Sequence, residues 1–180
     1  ERTFQVLRSW GDSGKNLVPV SVNIAYSSLF CSELFKTLAG LSAKYDIPPE
    51  FFKLELNENI HSVLDQVAPI VKTLKDFGFS IELDDFGSGF LSVNPFGGIN
   101  TNALKLDIKS LGANYDELGK TKTVLKRILE ICKDLNISVI AKCVETKEQS
   151  ETLIELGFEL AQGYYYAKPM NVSDFGKLIS

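Results

Sequence analysis

The amino-acid sequence predicts an α/β protein, a modified TIM-type (β/α) barrel, and two patterns support this. Six short β-rich runs alternate with helical patterns along the 180 residues, which favours parallel strands joined by right-handed crossovers. Within most of these runs apolar and polar residues alternate; Glu82 and Asp84, for example, lie opposite Leu83. Strands covered by helices on both faces are nearly continuously apolar, so the alternation predicts a barrel whose polar face points away from the helices.

The predicted strands lie at residues 17–24, 51–56, 79–84, 103–108, 138–144 and 159–166, and the predicted helices at 28–44, 60–77, 116–135, 147–156 and from 173 onward. Gly78 and Gly157 stand where helix C-cap glycines belong, and Ser173 resembles an N-cap. No linker divides the chain, so residues 1–180 are predicted to form one domain. A complete barrel needs eight βα units, so we expect the first one or two strands to be missing from this chain, before Glu1.

Composition narrows the classes of function. The net charge of −4 argues against a nucleic acid polymer or an anionic membrane as the main partner. No apolar run approaches the ~20 residues needed to span a bilayer. The three cysteines are scattered and form no CxxC motif, which predicts a reducing, cytoplasmic setting. The only histidine, His61, opens a predicted helix, where an exposed side chain is expected, which argues against a Ser-His-Asp or Cys-His centre.

Acidic and amide side chains gather near the ends of several predicted strands. They are Asn23, Glu55, Asp84 and Asp85, with Glu58 one loop step beyond. Carboxylates brought to one end of a barrel repel one another unless a cation or a proton compensates them. Oxygen ligands without histidine suit Mg²⁺ or Mn²⁺ better than zinc. For any single one of these acids the pattern favours a solvated strand-end residue, but two adjacent acids, Asp84 and Asp85, ahead of Gly87 indicate a shaped turn.

Two further polar positions leave alternatives open. Lys105 lies in the middle of a predicted strand, and a buried ammonium is costly unless a carboxylate or phosphate pairs with it. Spacing alone allows either a catalytic lysine or a structural ion pair with Asp107 or an acid on a neighbouring strand. Gln162 ends the last predicted strand, and Gly163 after it permits close approach of either a ligand or another chain segment.

Five motifs occur in order along the chain. They are Ser21-Val22-Asn23-Ile24, Leu54-Glu55-Leu56-Asn57-Glu58, Asp84-Asp85-Phe86-Gly87-Ser88-Gly89-Phe90, Leu104-Lys105-Leu106-Asp107 and Gln162-Gly163-Tyr164. In this order and spacing they resemble the motifs of the EAL domain family, which hydrolyses cyclic di-GMP in bacteria. The chain would correspond to the C-terminal three quarters of that domain.

The resemblance implies a role for each matching residue. The ligands of one or two Mg²⁺ or Mn²⁺ ions would be Asn23, Glu55, Asp84 and Asp85. Lys105 and Glu145 would be catalytic. Gln162 and Asp107 would bind the substrate, and Glu58 would anchor a loop. The implied chemistry is metal-assisted hydrolysis of a phosphodiester, which yields linear pGpG.

Two departures from the family pattern bear on activity. The Glu-Ala-Leu signature would precede Glu1, so a metal ligand and a substrate-binding arginine are expected to lie outside this chain. The family pattern Ala-Glu-Gly-Val-Glu appears here as Ala141-Lys142-Cys143-Val144-Glu145, so Lys142 replaces the expected general base. An ammonium at ~4 Å from a dication is repelled by roughly 8 kcal/mol at an effective dielectric constant of ~20. Lys142 could instead replace a metal ion by neutralising the carboxylates.

Three hypotheses on function follow. The chain is a degenerate EAL domain acting as a sensor or regulatory module, a degenerate domain that still binds cyclic di-GMP as a receptor, or an active phosphodiesterase once the preceding strands are present. Lys142 favours the first two hypotheses over the third. Whether the domain is an enzyme is left open. Expected partners are cyclic di-GMP and either a second copy, as a homodimer, or an upstream regulatory domain. Residues before Glu1 or the second copy would cover the sheet edge at residues 18–24.

Overall fold

The computed structural model describes residues 1–57, 64–86, 99–109 and 118–179. The strands are β1 (Val20–Asn23), β2 (Phe52–Asn57), β3 (Ser80–Phe86), β4 (Ala103–Asp107), β5 (Ser138–Lys142) and β6 (Leu160–Ala161). The helices are α1 (Arg2–Asp12), α2 (Tyr26–Leu29), α3 (Leu34–Tyr45), α4 (Leu64–Phe77), α5 (Leu118–Asp134), α6 (Lys147–Leu156) and α7 (Val172–Leu178). A turn of 3-10 helix, Pro49–Phe51, precedes β2.

The strands form one parallel sheet in the order in which they occur in the sequence, from β1 to β6. The sheet curls into a half-barrel with the helices outside it, so the predicted α/β barrel class is confirmed. Within the described part of the chain, β1 and β6 are its two outer strands. None of the described helices is long and apolar enough to cross a membrane.

The hydrophobic core lies between the sheet and the helices. Leu54 on β2 is in register with Ile81 on β3, and both side chains are no more than 1% exposed. Leu83 continues this layer onto Leu104 of β4, which is in register with Val139 of β5. Burial of a side chain of this size contributes about 1.5–3 kcal/mol, so this layer of side chains fixes which face of each strand turns inward.

Helix α1 was not predicted. Its buried residues Phe4, Leu7 and Trp10 recur every three residues, a spacing that places them on one helix face and could have revealed it. Phe4 stacks on Phe52 of β2 with 3.8 Å between ring centroids. Trp10 lies 5.6 Å from the ring of Phe175 on α7, so α1 links the first strands to the last helix.

Several predicted boundaries are wrong, and each has a local cause. The helix predicted at 28–44 is divided into α2 and α3, because residues 30–33 form a turn in which the amide of Leu34 donates to the carbonyl of Cys31 over 3.0 Å. Serine and cysteine are weak helix formers, which favours this break. Strand β5 ends at Lys142 because Cys143 has a left-handed backbone with φ 65°.

The strand predicted at 159–166 is reduced to Leu160–Ala161. The cause is Gly163, which lies flat against the peptide of Val144: a Cβ added there would stand 1.9 Å from the Val144 carbonyl oxygen. The amide of Tyr166 then turns back to the carbonyl of Gly163 over 3.1 Å, which leaves Tyr164, Tyr165 and Tyr166 exposed rather than in the core. The close approach at Gly163 is therefore made by the chain itself.

We predict that Gly163→Ala lowers the free energy of unfolding by at least about 2 kcal/mol, because the added methyl group displaces the Val144 peptide. The matched control is Gly40→Ala in α3, where a Cβ meets nothing within 4 Å. Removing glycine from that helix should stabilise the protein by up to about 1 kcal/mol. Urea denaturation followed by circular dichroism measures both, and equal effects of the two substitutions would contradict the role of Gly163.

Candidate functional site

The polar face of the sheet places the predicted acids side by side. Asn23 of β1 is in register with Glu55 of β2, which is in register with Glu82 of β3. Two residues further along, Asn57 is in register with Asp84. Successive side chains on a strand point to opposite faces, so Glu55 and Asp84 share one face, as the alternation predicted.

Lys105 lies between two carboxylates on this face. Its ammonium donates a hydrogen bond to Oε1 of Glu55 and lies 3.3 Å from Oε2 of Glu82. The three residues are 6%, 9% and 1% exposed, in the order Lys105, Glu55, Glu82, so the group is removed from water. The sequence had left open whether Lys105 pairs with Asp107 or with acids on other strands, and the structure shows the latter.

Glu82 has two further partners. The hydroxyl of Ser21 donates to its Oε2 over 2.9 Å. The ammonium of Lys53 lies 3.2 Å from its Oε1 without hydrogen-bond geometry, so it compensates charge rather than completing a bond. Two ammonium groups and one hydroxyl therefore surround this carboxylate, which is what a buried charge requires.

Lys142 forms a second ion cluster at the carboxyl ends of the strands. Its ammonium donates to Oδ1 of Asp84 over 2.5 Å and to Oδ1 of Asp85 over 2.9 Å. The amide group of Asn57 donates to the other oxygen of Asp85 over 3.3 Å. Asp85 adopts a left-handed backbone with φ 57°, an unfavourable conformation that these contacts help to hold.

The protonation state of Lys142 follows from its surroundings. Burial alone would lower the pKa of its ammonium, but the hydrogen bonds and charges of Asp84 and Asp85 outweigh burial and raise the pKa above the ordinary lysine value. The group is therefore charged at neutral pH. A charged ammonium has no lone pair to accept a proton, so Lys142 cannot act as a general base here.

The other predicted site residues have different surroundings, although Asn23 is in register with Glu55 and Asp107 with Lys142. The carboxylate of Glu145 accepts from the ammonium of Lys109 over 2.5 Å, and that of Asp107 accepts from the Lys109 amide over 2.8 Å. Gln162 is exposed, and its backbone bonds to Ala141 and Val144. Asn23 is exposed on the outer strand β1. Glu58 and the part of the Asp84 motif at residues 87–90 lie outside the described residues.

In this folded arrangement the predicted metal ligands do not fit a divalent cation. Glu55 is bonded to Lys105, and Asp84 and Asp85 are bonded to Lys142, so each of these acids already has a cationic partner. Among the residues that the structure describes, no group of three or more His, Cys, Asp or Glu side chains is arranged to hold a metal ion.

The sequence profile of the EAL domain matches residues 1–169. The chain belongs to the EAL domain family. Among curated relatives, the probable cyclic di-GMP phosphodiesterase PdeB of Escherichia coli is 28% identical over 156 residues, which are 87% of this chain and 29% of PdeB. The cyclic di-GMP phosphodiesterase NbdA of Pseudomonas aeruginosa is 28% identical over 170 residues, 94% of this chain and 22% of NbdA. The chain thus spans less than a third of either protein.

Solved structures agree with this assignment. The EAL enzyme Bd1971, bound to cAMP and cyclic di-GMP, superposes with a TM-score of 0.89 at 27% identity over 99% of this chain and 50% of Bd1971. A standalone EAL protein from Vibrio cholerae, bound to cyclic di-GMP, gives a TM-score of 0.79 at 28% identity over 94% of this chain and 70% of that protein.

Sequence reasoning missed Glu82 as a site residue of this EAL domain. The alternation had already placed it on the polar face, in phase with Asp84, so the signal was present. It could not show that the Glu82 carboxylate is 1% exposed and is shared among Lys53, Lys105 and Ser21. Glu82 contributes as much negative charge to the face as any of the predicted acids.

We predict that Glu82→Gln lowers the free energy of unfolding by about 3 kcal/mol, because it removes the counter-charge of Lys53 and one of the two counter-charges of the buried Lys105. The matched control is Lys72→Gln, which breaks the ion pair with Asp76 between side chains that are 74% and 62% exposed. That change should cost less than about 1 kcal/mol. Urea denaturation of both variants measures the difference, and comparable losses would show that the Glu82 cluster contributes no more than a surface pair.

Proposed function

We propose that this EAL domain acts in cyclic di-GMP signalling as a receptor or regulatory module that binds the dinucleotide without hydrolysing it. The observation that carries the proposal is the bond of the Lys142 ammonium to Asp84 and Asp85, at 2.5 and 2.9 Å. The position that the family resemblance assigns to a general base thus holds a fixed positive charge.

Loss of hydrolysis follows from charge. Metal-assisted phosphodiester cleavage needs bound cations that acidify a water molecule, and a base that removes its proton. Asp84 and Asp85, two of the expected metal ligands, are bonded to an ammonium instead, and Lys142 cannot take a proton. We therefore propose that neither Mg²⁺ nor Mn²⁺ resides in this site.

Ligand binding is supported separately. Relatives are named cyclic di-GMP phosphodiesterases, and similar structures contain cyclic di-GMP. Gln162, which matches the glutamine at the substrate end of the family site, is exposed at the end of β6 and can meet a ligand there. We assign Gln162 to dinucleotide binding and Lys105 to the charge balance of the polar face of the sheet.

The setting we propose is a single EAL-like domain at residues 1–180, in the cytoplasm, regulated by an upstream domain or by a second copy of the chain. All three cysteines are free thiols, which supports a reducing compartment. Helix α7 lies beyond the matched residues 1–169 but contacts α1 through Trp10 and Phe175, which supports including it in the same domain.

We predict that isothermal titration calorimetry of the full chain shows cyclic di-GMP binding with the same Kd in Mg²⁺ and in EDTA. Chromatography should detect no linear pGpG after incubation with Mn²⁺, while an active EAL phosphodiesterase run alongside forms it. Gln162→Ala should weaken binding about tenfold, the loss of one hydrogen bond of ~1.4 kcal/mol.

Gln66→Ala on the exposed side of α4 is the matched control and should leave the Kd unchanged. Formation of pGpG that Lys105→Ala abolishes would establish the phosphodiesterase alternative instead. Absence of heat change with cyclic di-GMP at millimolar concentration would reject the receptor and leave a module that acts through protein contacts alone.

A further inference from the structure

We infer that Lys142 is a built-in substitute for a divalent cation, and that this one residue makes the site independent of metal. The inference starts from the position of the lysine. Lys142 ends β5 and is in register with Asp107 of β4, yet its ammonium extends past β4 to the two aspartates of β3. It therefore links strands that are not neighbours in the sheet.

The two aspartates hold this ammonium as they would hold a metal ion. Both present Oδ1 to one point, at 2.5 and 2.9 Å, although they are adjacent in sequence. This is achieved by the left-handed backbone of Asp85, whose amide donates to Asp84 Oδ1 over 2.9 Å. Adjacent residues of a regular strand would point to opposite faces and could not share a cation in this way.

Charge explains why lysine is compatible with this arrangement. Two carboxylates on partly buried side chains repel each other, and the ammonium offsets one of their two charges. Without the lysine, the pair would carry its full negative charge and would need a cation from solution. With a further acid at position 142, the negative charge that a cation from solution must compensate would be greater still. Occupancy of this pair by Mg²⁺ or Mn²⁺ is thus decided by residue 142.

Thermal unfolding of the full chain tests this at constant ionic strength, in EDTA and in increasing Mn²⁺ or Mg²⁺. The wild type should show no saturable shift of Tm. Lys142→Met, of similar length, and Lys142→Glu should both unfold at lower temperature in EDTA. Both should then gain stability with added Mn²⁺, by roughly 5–10 °C at a hundredfold excess over the Kd, and Lys142→Glu should respond at the lower concentration.

The matched controls are Lys72→Met and Lys72→Glu, which remove the same charge from the exposed pair with Asp76 and should show no saturable response. A saturable Mn²⁺ shift in the wild type would overturn the inference, because the lysine would then not occupy the cation position. A lack of response in both Lys142 variants, whether folded or unfolded in EDTA, would overturn it as well. The inference rests on the metal-free site of the proposed function, but no cyclic di-GMP is present, so the result is independent of whether the domain binds the dinucleotide.

Discussion

Neutralisation of buried charge on the polar face of the sheet is the constraint on which the rest of this structure depends. Glu82 is 1% exposed and Lys105 6%, and an unpaired charge at either position would cost several kcal/mol. Their partners come from β1, β2, β3 and β4, so the charges are compensated only if these strands keep their register. A slip of one residue would turn the charged side chains toward the apolar core.

The alternation of side chains between the two faces of each strand therefore serves two purposes. It directs Leu54 and Ile81 toward the helices, where they form the core, and it directs Glu55 and Glu82 toward the opposite face, where they form the ion cluster. The stability of the fold and the geometry of the site cannot be separated in such a sheet. An ion cluster of this kind adds less free energy than apolar packing would, but it restricts which arrangements of the strands are compatible with one another.

The sequence was sufficient for the fold class, for the shared face of Glu55 and Asp84, and for α6, whose C-cap at Gly157 is a local signal. It was insufficient where the deciding contact is distant in sequence. Lys105 and Glu55 are 50 residues apart, and Lys142 and Asp84 are 58 apart. Alternation shows which face a side chain occupies, but the pairing of each ammonium with its acids depends on strand order and on the reach of the lysine.

A lysine and a metal ion neutralise the same pair of aspartates in different ways. A divalent ion supplies two charges, exchanges with solvent and activates a bound water molecule, so occupancy varies with its concentration. The ammonium of Lys142 supplies one charge, is tethered to β5 and has no open coordination position for water. Under the proposed function, the end of β3 would then keep its shape at any metal concentration. A receptor or regulatory module has a conformation rather than a product as its output, so one residue would account for the absence of both a general base and a bound metal.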